Sequence, residues 1–178
     1  MSIEGEGFNP PHLHDYVVTA RAKLLDWVRP LTLEQYTQEF PLGLKTMRKT
    51  MVEIASGEWT YTRRLRGEEL PPVDDRPFHR FEDTDFAALE PVWREETEQT
   101  GRMLREITDW TTPVEYLVRV PDRPVIRIQT TTGGIAAQML FHEIHHRAQA
   151  MAMLRQLGIP AQNLDYSLFM YHRTELPA

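Results

Sequence analysis

The sequence predicts an all-α fold for residues 1–178: a four-helix bundle in one domain, with a long crossover connection and a short β-hairpin near 114–129. Three observations carry that expectation. Four long segments repeat apolar residues at helical spacing, and capping, glycine or proline signals bound them. Only the stretch between Trp110 and Gln129 changes to β-branched alternation. The 178 residues show no internal repeat, and 41% hydrophobic with 26% charged residues is ordinary for one soluble core.

The first helix is announced by Asn9-Pro10-Pro11, a capping residue followed by prolines that suit a first helical turn. Leu13, Tyr16, Val17, Ala20, Leu24 and Val28 continue it from about Pro11 to Val28, and Pro30 ends it. After the Phe40-Pro41-Leu42-Gly43 break, Leu44, Met47, Met51, Ile54, Glu58, Tyr61 and Leu65 mark a second helix closed by Gly67. Pro71, Pro72 and Pro77 then make a polar connection.

Thr84-Asp85 caps a third helix through Phe86, Leu89, Val92, Trp93, Met103, Leu104 and Ile107, and Pro91 inside it predicts a kink or a break. The runs Val114–Val120 and Val125–Gln129, separated by Pro121–Pro124, form either a hairpin or an extended crossover. The fourth helix extends from about Thr132 to Leu157, where Gly158 and Pro160 stop it. A short segment from Leu164 to about His172 offers Tyr166, Phe169 and Met170 for packing. Such bundles commonly hold metals between facing helices.

Composition narrows the chemistry. Without cysteine there is no disulfide, no thiolate metal ligand and no cysteine nucleophile, so a metal must take His, carboxylate or water. A net charge of −6 gives no footprint for nucleic acid, and Arg63, Arg64 and Arg66 read as a solvated helix end. No apolar run reaches the roughly 20 residues that span a bilayer. The acidic Met1–Gly7 lacks a signal pattern, so a cytoplasmic protein is expected.

The chemistry concentrates in Phe141-His142-Glu143-Ile144-His145-His146-Arg147-Ala148-Gln149 on the fourth helix. Residues four apart stand about 6 Å apart along one helix face, so His142 and His146 can aim ring nitrogens at one divalent cation. A lone histidine on such a face is more often a hydrogen-bonded core residue. Here His142, His145, His146 and Gln149 share one side, a polar cluster from which packing alone gains little.

The same residues satisfy H-E-x-x-H, the zinc-peptidase pattern in which the Glu is the general base. The metzincin extension would need Gly and His where Gln149 and Ala152 stand. The one Glu downstream of the motif is Glu175, at the end of the chain. A zincin-type peptidase is therefore the weaker reading, and Glu143 is read as a solvated surface carboxylate.

His142-x-x-x-His146-Arg147-x-Gln149, followed by Leu154-Arg155-Gln156-Leu157-Gly158, resembles the signature of the DinB/YfiT-like superfamily of metal-binding four-helix bundles. Met51–Trp59 matches the other motif of that superfamily in outline, and the resemblance extends to Asp165-Tyr166, so it covers most of the chain. It implies three histidine ligands, one from the second helix and two from the last. His142 and His146 match, whereas Glu53 stands at the second-helix position. A carboxylate is also a good ligand for zinc, iron or manganese. The other reading of Glu53 is a buried partner of His146 beside an empty site.

The resemblance implies a metal-dependent enzyme, a thiol-dependent transferase or a hydrolase, in which a divalent zinc, nickel, iron or manganese acts as Lewis acid. The metal lowers the pKa of a thiol or water there. Its substrate would be a small molecule, with a low-molecular-weight thiol as co-substrate. Gln149 and Arg147 would support the ligands or serve the fold, and His145 would pack or line the pocket. No DNA binding is implied. The competing reading is a non-catalytic metal-binding stress-response bundle that forms a homodimer.

Overall fold

The computed structural model describes residues 8–120, 122–172 and 174; Met1–Gly7, Pro121 and Glu175 lie outside the described residues. Among the described residues the chain is mostly helical, with six helices and one two-stranded sheet. The four long helices are α1 (Pro10–Val28), α3 (Met47–Leu65), α4 (Phe86–Glu106) and α5 (Thr132–Gln156); α2 (Leu33–Thr37) and α6 (Tyr166–Met170) are short.

Each long helix starts on a side-chain cap. Asn9, Thr46, Asp85 and Thr131 accept from the backbone N–H groups of His12, Lys49, Ala88 and Gly134, satisfying donors the helix itself cannot. Helix α3 begins at Met47, later than Leu44. Gly43 (φ +51) and Lys45 (φ 71) hold the preceding backbone in the left-handed region, which a helix cannot include. Helices α3 and α5 close on Gly67 and Gly158, both at positive φ, where Glu68 N–H reaches the Arg63 carbonyl and Ile159 N–H that of Leu154.

The break allowed for at Pro91 does not occur, and one helix is added that the sequence pattern does not show. Helix α4 runs unbroken through Pro91, because a proline six residues into a helix forfeits a single internal hydrogen bond near its start. The stretch from Leu33 to Thr37 is helical, opened by a reciprocal Thr32–Gln35 capping box. With Tyr36 its one buried side chain, it is too short to display a period.

The β-branched runs form a hairpin. Strand β1 (Pro113–Val118) pairs antiparallel with β2 (Ile126–Thr131), with Pro113 opposite Thr131 and Val118 opposite Ile126. Val114, Tyr116 and Val118 are half-buried while Pro113, Glu115 and Leu117 are exposed, the alternation of a sheet with one covered face.

Helix α5 packs against α3 and α1, α4 packs against the same two helices, and α6 lies on α1. Leu24, Met51, Ile54, Leu89, Trp93, Leu104 and Leu154 are fully buried and come from all four long helices. Each such side chain contributes about 1.5–3 kcal/mol on burial.

A charged group sits within that core. Arg21 of α1, 4% exposed, donates from Nε to Glu143 Oε1 at 3.0 Å and from Nη2 to Glu143 Oε2, and its Nη1 lies 2.8 Å from Glu58 Oε2. Its guanidinium lies 4.6 Å from the Trp93 ring centroid. Trp93 Nε1 donates to Glu58 at 2.8 Å, and Thr97 of α4 accepts from Arg21. All four long helices thus meet at one ion-paired node. The sequence reading of Glu143 as a solvated surface carboxylate is corrected: it is 4% exposed and both its oxygens are held by Arg21. Three helices away in sequence, the partner that draws Glu143 inward leaves no local signal.

Candidate metal centre

The site is built across the α3–α5 seam. Helix α3 contributes Glu53 and helix α5 contributes His142 and His146, and one ligand atom from each can be chosen so that all three lie within 4.8 Å of one another. Each of the three is partly exposed, so the cluster opens towards solvent. His142 Nε2 is 3.2 Å from Glu53 Oε1, and the two histidine rings are 4.5 Å apart. Glu53 is thus the partner of His142, and its side chain is 45% exposed, rather than a buried partner of His146.

The supporting residues set the ring orientations. Gln149 Oε1 lies 3.0 Å from His146 Nδ1, and Gln149 Nε2 lies 2.9 Å from His145 Nε2. A Gln oxygen only accepts and its amide nitrogen only donates, so this arrangement assigns the His146 proton to Nδ1 and leaves Nε2 with a free lone pair. Burial, with His142 nearby, outweighs the Gln149 hydrogen bond and holds His146 below the usual histidine range, so its ring is neutral at pH 7.

Two glycines permit the approach. A Cβ at Gly57 would stand 2.7 Å from Cε1 and Nδ1 of His142, and one at Gly43 would stand 2.5 Å from Gln149 Oε1. The His142 ring meets Tyr61 edge-on at 5.7 Å, and Gln138 Nε2 donates to the Tyr61 hydroxyl at 3.3 Å.

The donor set fits a divalent cation: a neutral imidazole with a free lone pair, a second imidazole and a carboxylate converge from two helices. The sequence-predicted residues Glu53, His142 and His146 are therefore brought together. His145 is exposed and bonded to Gln149. Arg147 faces elsewhere: it is 3% exposed and donates to the Tyr16 hydroxyl at 2.6 Å, which in turn donates to the Leu164 carbonyl. Glu143, bound to Arg21 in the core, is not free to act as a base beside the histidines.

Sequence reasoning missed Gly57, Tyr61 and Gln138. Gly57 did carry a signal, since a glycine inside a helix costs about 1 kcal/mol relative to alanine and so marks a close approach. Tyr61 falls at an apolar core position of the helical pattern, and nothing local distinguishes it. No curated protein matches the chain. The model of the DinB family matches residues 1–176, nearly the whole length, and with the Glu53, His142 and His146 cluster falling on the two motifs that suggested it, the chain belongs to the DinB family.

Proposed function

We propose that Glu53, His142 and His146 hold one divalent metal and that the chain is a metal-dependent enzyme acting on a small molecule, a transferase using a low-molecular-weight thiol or a hydrolase. The observation that carries this is the convergence of three ligand atoms within 4.8 Å from α3 and α5. A divalent metal held there would supply Lewis acidity, stabilising a thiolate or hydroxide near neutral pH. The chain's own contribution is positional. Gln149 fixes the His146 tautomer, Gly57 gives the His142 ring its seat, and the partly exposed face of the cluster admits a small molecule. The pairwise packing of α1, α3, α4 and α5 around one core supports reading residues 1–178 as a single four-helix-bundle domain.

A cytoplasmic homodimer belongs to the same reading; among the described residues no helix is long and apolar enough to cross a membrane. Sedimentation at micromolar concentration tests the dimer, which a single monomeric species would contradict. The enzyme reading is tested by mixing the protein with a panel of low-molecular-weight thiols and electrophiles, with and without added zinc, nickel, iron or manganese. Metal-dependent thiol consumption supports it. Background rates throughout, together with confirmed metal uptake and no metal-dependent hydrolysis of a panel of esters and amides, favour a non-catalytic metal-binding protein.

A further inference from the structure

Beside the cluster lie two arginines that the chain does not neutralise. Arg64, in the last turn of α3, is half-buried with its guanidinium carbon 4.3 Å from the ring centroid of Tyr116 on β1 and 5.4 Å from that of Tyr61. Among the described residues the one hydrogen bond of its guanidinium is to the Tyr116 hydroxyl at 3.5 Å, and its Nε is buried with no partner. Arg76, half-buried in the connection between α3 and α4, donates only to the Pro71 carbonyl, at 3.3 Å, among the described residues. Arg29, Arg63 and Arg105, by contrast, each sit on a carboxylate.

Arg64 is tied to the cluster through the Tyr61 ring, and Arg76 feels both the Arg64 guanidinium and the Glu53 carboxylate. Burial and then the neighbouring Arg64 guanidinium pull Arg76 below the usual arginine range, while the Glu53 carboxylate opposes them. Tyr61 is the shared surface, packing on both Arg64 and the His142 ring. Two half-buried guanidinium groups that repel one another and lack a carboxylate of their own cost desolvation with no compensating ion pair. Stacking on Tyr61 and Tyr116 offsets part of that cost for Arg64 but leaves its buried Nε without an acceptor.

We propose that Arg64 and Arg76 form an anion subsite beside Glu53, His142 and His146, which takes the carboxylate or phosphate group of the small-molecule substrate. The planar donor fork of arginine matches both groups, and Tyr116 holds the Arg64 plane by stacking. The inference rests on the proposed function only in taking the cluster as the reacting site. It deepens that reading by giving the substrate a charged end, anchored at the arginines, and a reacting end at the cluster.

The test uses the full-length chain without added metal, so that the anion cannot be taken by a cation instead. Arginine Nε–Hε resonances are followed by NMR while inorganic phosphate or succinate is titrated at constant ionic strength, with chloride as control. A saturable shift of the Arg64 signal by phosphate or succinate, absent with chloride, is expected, and the anion that saturates at lower concentration identifies the preferred group. Arg64→Gln and Arg76→Gln should each weaken binding about tenfold or more. An Arg64 signal that never saturates, that responds equally to chloride, or an affinity unchanged in the double variant would overturn the subsite. Should a variant fail to fold, the spectra of the parent decide. Zinc uptake by the parent is measured in parallel. Uptake without an anion response sinks the subsite alone, whereas an anion response without uptake sinks the metal reading and leaves the subsite standing.

Discussion

Gly57 concentrates the logic of the site into one missing methyl group. Alanine there would favour the helix by about 1 kcal/mol, yet its Cβ would stand 2.7 Å from the His142 ring, which must swing away. Gly57→Ala should therefore keep or raise the melting temperature while weakening metal binding about 10- to 100-fold, measured by titration of zinc against a competing chelator. Unchanged affinity would show that the His142 position seen here is not required. Glu53 makes a second residue-scale prediction, because it offers a carboxylate where the family resemblance implies an imidazole. Glu53→Ala should weaken zinc binding and Glu53→His should retain it, since histidine restores a ligand. Binding by Glu53→Ala as tight as that of the parent would remove Glu53 from the ligand set.

At the scale of elements, Arg21 ties α1 to α3, α4 and α5 through Glu58, Thr97 and Glu143. Removing one partner of a buried pair leaves the other charges uncompensated, so Arg21→Met should destabilise by about 3–5 kcal/mol in urea unfolding. A loss below about 1 kcal/mol would mean that water reaches the node. The same node sets the response to acid. Burial raises the Glu58 carboxyl, but Arg21 and the hydrogen bonds from His14 and Trp93 outweigh it and hold the group at about 2, below its ordinary 4.5. A group depressed on folding stabilises above its unfolded pKa and loses that contribution as pH falls through the folded one. Stability should thus decline between pH 4.5 and 2. Glu58→Gln should flatten that decline, and an unchanged acid limb in the variant would contradict the assignment. Glu143 separates two chemistries: Glu143→Gln should lower stability and leave zinc uptake intact, because the carboxylate serves Arg21 rather than the histidines.

Across the whole molecule, what could be read in the sequence was what repeats locally. Periodic apolar residues and end signals placed α1, α3, α4 and α5 within a few residues, and alternation located the hairpin. The i, i+4 spacing of His142 and His146 gave two members of the cluster directly, and the family resemblance gave Glu53. Partnerships between distant segments were not legible. Glu143 looks like a surface residue until Arg21, 122 positions away, is placed beside it, and Arg64 looks like a solvated helix end until Tyr116 of the hairpin covers it. Helix α2 leaves no mark in the sequence pattern because five residues hold no period. The central claim, that Glu53, His142 and His146 hold a metal, is tested most directly by elemental analysis. Protein purified without a metal-binding tag is reconstituted with zinc, nickel, iron or manganese and desalted, alongside His142→Ala and His146→Ala. The parent should carry about one divalent cation per chain and both variants should lose it. Full occupancy in both variants, or none in the parent with any of the four metals, would contradict the claim.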